Sequence, residues 1–397
     1  MPEPLALVTG LGVVTARARD SEVFWAARAV APPPGVASAL DGALLRHPRR
    51  FGDLVTRASL DAVAQAWHAA GLPADGLDDT VPGPHRTAPA RAGCQWGVGL
   101  AGLRAAERAS AAVAAGRDPA PRDVLALSPA EPVAAVARRL GLSGPCRAIA
   151  TACASATDAI ADAARLIASG ACDIVVAGGA EAGATPVNLA GLARLGLLSA
   201  TGTARPFDDG RDGLVLAEAA AALVLESPGH ARARGARPLA AVLGSASGRD
   251  LDAGVAAPGV TGLAVSDVAT RALAAAGLRP ADLTAVLGHA AGTAVGDAAE
   301  AAGLARLLTG VDVPVTAGKG ATGHAMAASG ALAAAEAVLA LERGHLLPVV
   351  GLRARPERSA AADLDLVTQR RVLAPGPVVS VSAGFGGFIS ALVIAPV

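Results

Sequence analysis

Hydrophobic positions in this chain come as short unbroken runs, separated by longer stretches where small and apolar residues recur at helical spacing. Residues 5–15, Leu-Ala-Leu-Val-Thr-Gly-Leu-Gly-Val-Val-Thr, predict a buried strand, a glycine turn and more extended chain. Prolines 32–34 mark a loop. From there to about 120 the pattern is helix, loop, helix, with Pro-Gly-Pro at 82–84 between them. The stretch 145–150 leads into a short strand. Residues 153–169 predict a helix with Asp158 and Asp162 on one face and Gly170 as its cap. The apolar run 173–179 has strand length, so 147–179 reads as strand–helix–strand with parallel strands.

The second half repeats the style. Strands are expected at 239–247, 284–288, 312–316, 378–382 and 389–394, and helices at 263–276, 297–308 and 324–343. Such alternation predicts an α/β fold with mostly parallel, buried sheets. Two similar halves, 1–238 and 239–397, suggest a duplication, although no clear sequence repeat connects them. Residues 372–397 carry no charge and are long enough to span a bilayer. Pro375, Gly376, Pro377 and the Gly-Phe-Gly-Gly segment at 384–387 favour two buried strands around a glycine turn instead, so no membrane span is expected.

Charge and composition exclude several functions. The 34 basic and 34 acidic residues cancel, which leaves no electrostatic footprint for nucleic acid. Tyrosine is absent and aromatics are few, which argues against stacking on bases or sugars. Cys94, Cys146, Cys153 and Cys172 form no C-x-x-C pair and have no histidine at ligand spacing, so neither a metal site nor a disulfide framework is expected. That usage fits a reducing cytoplasm, and the N-terminal Met-Pro-Glu-Pro lacks the basic start of a signal peptide. Gly10-x-Gly12 invites a dinucleotide reading. It lacks the third glycine, the following helix and the acid-ended second strand, so no nicotinamide is expected.

The candidate chemistry is one thiol and two imidazoles, a set sufficient for carbon–carbon bond formation on thioesters. Cys153 lies in Ala-Thr-Ala-Cys-Ala-Ser-Ala (150–156), at the strand-to-helix junction. Helix N–H groups there favour thiolate over thiol and can hold an oxyanion. A cysteine is ordinarily a small core residue, which is the reading for the other three; the small flanks of Cys153 leave room for an acyl group. His289 follows the strand 284–288, and His324 follows Lys319-Gly-Ala-Thr-Gly. Both sit past strand ends, where α/β proteins place their sites. The glycines around Phe385 let a backbone N–H approach a substrate oxygen.

Together these segments resemble the β-ketoacyl-acyl-carrier-protein synthases of the thiolase superfamily. Thr-Ala-Cys-Ala-Ser (151–155) is similar to their nucleophile motif, and Gly-His-Ala-Ala-Gly-Thr (288–293), with Gly296, Asp297 and Glu300, to their first histidine segment. Lys-Gly-Ala-Thr-Gly-His (319–324) is similar to the second, and Gly-Phe-Gly-Gly (384–387) to the C-terminal turn. Val-Ala-Gly-Gly-Ala-Glu (176–181) and Arg-Pro-Phe-Asp (205–208) also match, in family order from about 123 onward. The resemblance implies a thiolase-like duplicated fold in five αβαβα layers, a dimer and no cofactor. It implies Cys153 as acyl acceptor, His289 and His324 on the malonyl thioester carbonyl, and Lys319 fixing the network around His324. The N–H groups of Cys153 and Phe385 would form the oxyanion hole, with Phe385 also a gate and Thr293, Gly384 and Gly386 as substrate contacts. The partner implied is acyl carrier protein bearing acyl- and malonyl-phosphopantetheine.

The chain departs from the pattern at three places. Ala291 stands where the family has a threonine; the acid expected on the helix after His324 falls at Ala333, with Glu336 one turn on; and Gly-Glu-Gly is replaced by Ala217-Glu218-Ala219. The segments 363–368 and 386–390 are closer to the subunits of bacterial type II polyketide synthases than to housekeeping fatty-acid enzymes. Those pair a catalytic subunit with a chain-length-factor partner that usually lacks the cysteine. Retention of Cys153 and both histidines favours catalysis; a partner subunit and a priming acyltransferase of the same fold are the alternatives.

Overall fold

The computed structural model describes residues 2–32, 39–43, 45–47, 52–73, 91–254, 259–353, 356–357 and 360–397. The first half runs β1 (Ala6–Thr15), α1 (Ser21–Arg28), α2 (Leu54–Ala69), β2 (Ala92–Gly97), α3 (Leu103–Ala114), α4 (Pro121–Leu125), α5 (Glu131–Leu140), β3 (Cys146–Ile149), α6 (Ser155–Ala168), β4 (Ile174–Glu181), α7 (Pro186–Arg194), β5 (Ala219–Glu226) and α8 (Pro228–Ala233). The second runs β6 (Ala240–Arg249), α9 (Leu263–Ala275), β7 (Ala285–Leu287), α10 (Ala294–Leu307), β8 (Pro314–Thr316), α11 (Lys319–Thr322), α12 (Ser329–Arg343), β9 (His345–Leu346), β10 (Asp365–Leu366), β11 (Arg371–Val372), β12 (Val378–Gly384) and β13 (Phe388–Ala395).

The strands order as β10-β8-β7-β12-β13-β6-β1-β5-β4-β2-β3, with β9 and β11 paired separately. Repetition invisible in the sequence is plain here. From the centre outward, β1-β5-β4-β2-β3 and β6-β13-β12-β7-β8 share one pattern: two antiparallel pairings, then two parallel ones. The sheet is therefore mixed, not mostly parallel. An apolar run reports burial on both faces but not direction. The short connection from β12 to β13 closes a hairpin, which is necessarily antiparallel.

Three cores hold five layers together in the αβαβα order expected, the central one packing both faces of the middle helix layer. One joins α2 and α5 to the first half of the sheet through Val63, Trp67, Val136 and Trp96. Another joins α9 and α10 to the second half through Leu273, Leu304 and Val379. Between the two halves lies the third, built on α6 and α12. These two helices are rich in alanine and cross closely at Gly330, where a Cβ would sit 2.1 Å from Thr157 Oγ1.

Four local expectations change. The segment 5–15 holds no turn: Gly10 and Gly12 lie inside β1, where a Cβ would come within 2.0 Å of the Ala66 and Ala62 carbonyls of α2. They are glycines so that a helix can press on a strand, which accounts for the Gly-x-Gly without any nucleotide. Second, β2 stands inside the region read as helix, loop, helix. Its Ala-Gly-Cys-Gln-Trp-Gly sequence lacks an apolar run, yet every residue is buried. Third, α12 begins at Ser329 rather than 324, because Met326–Ala328 form a 3-10 turn. The same turn, Ala152–Ala154, precedes α6. Ala152 and Met326 both have positive φ, 51° and 43°. Fourth, α10 starts at Ala294, three residues early. Prolines 33 and 34 and residues 82–84 lie outside the described residues. The uncharged C-terminal stretch forms β12 and β13 as expected, and no helix among the described residues is long and apolar enough to cross a membrane.

Candidate functional site

Cys153 sits in the turn that leads from β3 into α6, 3% exposed. The end of β12 presses on that turn. A Cβ on Gly384 would lie 2.9 Å from Thr151 O and 3.0 Å from Cys153 N. This approach brings the Phe385 N–H to the Cys153 sulfur, where the Cys153 N–H also points. The helix start was expected to favour the thiolate. Burial outweighs it and pushes the thiol up to about 12, against Lys319 and the two N–H groups, which pull it down. At neutral pH the Cys153 side chain is a thiol.

The two histidines arrive from neighbouring strand ends. His289 follows β7; His324 bridges to Leu216 beyond α11. Their rings meet edge to face, centroids 5.2 Å apart at 85°. Lys319 follows β8, the parallel neighbour of β7, so its ammonium reaches His289: Nζ lies 3.3 Å from Nδ1 and also donates to the His289 carbonyl. It was expected to serve His324, whose Nδ1 instead meets Ser329 Oγ at 2.9 Å. A charged lysine only donates, so Nδ1 of His289 must accept, and its proton is assigned to Nε2. Burial brings Lys319 down to about 8, with Glu300, Cys153, Asp297 and Glu336 opposing the fall, so it remains mostly charged at pH 7. Both imidazoles are held well below 6.5, by burial first and then by Lys319, and are neutral at pH 7.

A cavity of about 90 Å³ is lined by Cys153, His289, His324, Thr293, Phe385 and Gly386, with Gly384 and Ala291 also on its wall. Leu197 and Leu214 add apolar surface. The sequence marks Asp297 and Glu300 only as parts of a motif. Glu300 accepts the backbone N–H groups of both His289 and Ala290, and Asp297 those of Gly292 (2.9 Å) and Phe207 (2.8 Å). Two acids buried on an alanine-rich helix need backbone donors, and that mismatch was the available signal. Ser329 carried none, since a serine at a helix start is ordinary.

Glu181, at the end of β4, is 1% exposed. Burial raises it to about 7, against N–H groups of Leu100, Ala182 and Ala327 that favour its charge. Its folded pKa lies above its unfolded one. The stability it contributes is therefore complete below about pH 4.5 and lost as pH rises through 7. At about 1.4 kcal/mol per unit, the loss is roughly 3 kcal/mol. Thermal unfolding of wild type beside Glu181→Gln should show their difference moving by about that much toward the variant between pH 4.5 and 8. A pH-independent difference would contradict an ionising, buried Glu181.

The descriptions "Beta-ketoacyl synthase, N-terminal domain" and "Beta-ketoacyl synthase, C-terminal domain" match residues 35–231 and 239–353. The 3-oxoacyl-[acyl-carrier-protein] synthase 2 of Vibrio cholerae is 31% identical over 418 residues, covering 99% of each chain. The enzyme of the same name from Mycobacterium tuberculosis is 37% identical over 249 residues, 60% of this chain and 58% of that one, so the chain spans little more than half of that relative. Among solved structures, a type II PKS acyl-carrier protein in complex with its ketosynthase bound to the hexaketide matches at 25% identity, covering 100% of both chains with a TM-score of 0.84. The ishigamide ketosynthase/chain length factor matches at 26%, covering 99% of both with a TM-score of 0.84.

Proposed function

Since the chain belongs to the β-ketoacyl synthase family of the thiolase superfamily, we propose that it extends carrier-bound acyl chains by decarboxylative Claisen condensation, in type II polyketide or specialised fatty-acid biosynthesis. The observation that carries this reading is the convergence of two N–H groups, from Cys153 and Phe385, on one sulfur in a cavity that also holds both imidazoles.

In the first half-reaction the Cys153 sulfur attacks an acyl thioester on carrier protein. The thiol proton ends on the departing pantetheine thiol. In the second, malonyl-carrier protein enters past Phe385, with Thr293, Gly384 and Gly386 along its arm. The Nε2–H groups of His289 and His324 donate to the thioester carbonyl. The bond to the carboxylate breaks, CO₂ leaves, and its electron pair becomes the enolate. The enolate carbon attacks the Cys153 thioester, and the N–H groups of Cys153 and Phe385 hold the tetrahedral oxyanion. Collapse expels the Cys153 thiolate, which takes up one proton because its folded pKa is high. Lys319 holds His289 in the required tautomer. No step needs a cofactor. The halves 1–238 and 239–397 act as one unit in a cytoplasmic dimer, with a second copy or a chain-length-factor-like subunit.

Intact-protein mass after incubation with short acyl-carrier proteins tests the reading. The expected result is one acyl adduct that disappears, with CO₂ release, when malonyl-carrier protein is added. No adduct from any donor, on folded protein alone or with a ketosynthase partner, would assign it as a partner subunit. An adduct without CO₂ release would make it a priming acyltransferase.

A further inference from the structure

A second cavity, of about 20 Å³, is lined by Lys319, Ser329, Ala333 and Glu336 together with the apolar Phe24 and Leu287. Glu336 is 3% exposed, and its Oε2 accepts from Arg28 Nε at 2.8 Å. Its Oε1 is fully buried and accepts no hydrogen bond from any described residue. Leaving a buried carboxylate oxygen in that condition is costly. Lys319 has three donors, and its acceptors among the described residues are both atoms of His289. Ser329, bonded to His324 Nδ1, has acceptor capacity to spare. Three groups with unused hydrogen bonds thus line a space large enough for a single water. Arg28 and Lys319 already bring positive charge to the carboxylate, which disfavours a metal cation there.

We propose that one buried water bridges Glu336, Lys319 and Ser329, and that Glu336 acts through it as a positioning residue for His324. The water accepts from Lys319 and donates to Glu336 Oε1 and Ser329 Oγ. With its oxygen accepting, the Ser329 hydroxyl turns its own hydrogen to His324 Nδ1. His324 then carries its proton on Nε2, as His289 does through Lys319. Ala333 matters because its methyl leaves the room. The catalytic consequence rests on the ketosynthase reading; the water and the tautomer do not.

Two substitutions of the same shape isolate the link. Ala333→Thr and Ala333→Val fill the cavity alike and leave the Arg28–Glu336 pair intact, but only threonine supplies a hydroxyl in place of the water. The measurements are a high-resolution crystal structure of the wild type, ¹⁵N-histidine NMR of all three proteins, and both half-reactions. The expected results are a water on Glu336 Oε1, both histidines as Nε2–H in wild type and Ala333→Thr, and a shift of His324 toward Nδ1–H in Ala333→Val. Decarboxylation should fall about 10–100-fold in the valine variant alone, with acylation of Cys153 unchanged. A cavity without water, or holding a cation, overturns the proposal. So does a valine variant with wild-type tautomers, or equal losses with threonine and valine, which would mean packing alone. If neither variant folds, the wild-type crystal and spectrum decide. A wild type with both Nε2–H tautomers but no condensation would sink the ketosynthase reading and leave this one standing.

Discussion

Replacing His289 with alanine should leave acylation of Cys153 within about tenfold of wild type while decarboxylation of malonyl-carrier protein falls roughly 10²–10³-fold, the usual effect of deleting one donor to a developing oxyanion. The asymmetry follows from the geometry. In acyl transfer the negative charge develops on an oxygen beside the sulfur, where the N–H groups of Cys153 and Phe385 point. In decarboxylation it develops on the malonyl thioester oxygen, which the proposed reading places against the two imidazoles that line the same cavity. Both are neutral at pH 7, so each offers one N–H rather than a charge. Removing one of two donors should lose most of the stabilisation. Cys153→Ala supplies the opposite extreme, with no adduct from any donor. The two half-reactions are read separately, by intact mass and by CO₂ release. Equal loss of both in His289→Ala would contradict this division of labour. Lys319→Ala should lower decarboxylation at least as far as His289→Ala, because its ammonium bonds His289 directly.

How far the sequence revealed this arrangement depended on which physics the residues carry locally. β4, β12 and β13 are mostly apolar, with Ser380, Ser382 and Ser390 as polar residues inside them, and were legible as strands. β2 was hidden because Gly93, Gln95 and Gly97 interrupt its pattern, although the strand is fully buried. The turn before α12 has the composition of a helix, so periodicity ran through it to His324. Cys153, His289 and His324 stood out by small flanks and strand ends. Their partners did not. That Lys319 serves His289 depends on β7 and β8 being neighbours, a fact of topology that no local pattern contains. Glu300 looks like a solvated helix residue until the loop carrying His289 folds over it. The repeat of strand order between the halves is likewise structural, since the two halves keep a shared path without shared residues.

That path also predicts that Gly384 tolerates no side chain. Its backbone is ordinary extended chain, φ −131° and ψ 159°, so alanine meets no conformational obstacle there. The obstacle is space. The new methyl would lie 2.9 Å from Thr151 O, 3.0 Å from Cys153 N and 3.2 Å from the Ala152 Cβ, and the first two are backbone atoms that cannot rotate away. The strand end must back off from the turn that carries Cys153 by some tenths of an ångström, taking the Phe385 N–H with it. Overpacking of this kind costs about 1–3 kcal/mol of stability, which a chain of this size withstands. The catalytic effect should be larger, because the N–H groups of Cys153 and Phe385, proposed above as the oxyanion donors, flank the displaced contact: acylation of Cys153 should fall roughly 10²–10³-fold in a protein that still unfolds cooperatively. Ala152→Gly in the same protein should restore part of the rate. It removes the third clash and relaxes a residue held at φ 51°, so the turn gains freedom to retreat. A Gly384→Ala protein that acylates at the wild-type rate would show that the N–H pair is not what this contact positions. A double variant no faster than the single one would place the lost rate in Phe385 itself, moved away from the sulfur, rather than in the turn that carries Cys153.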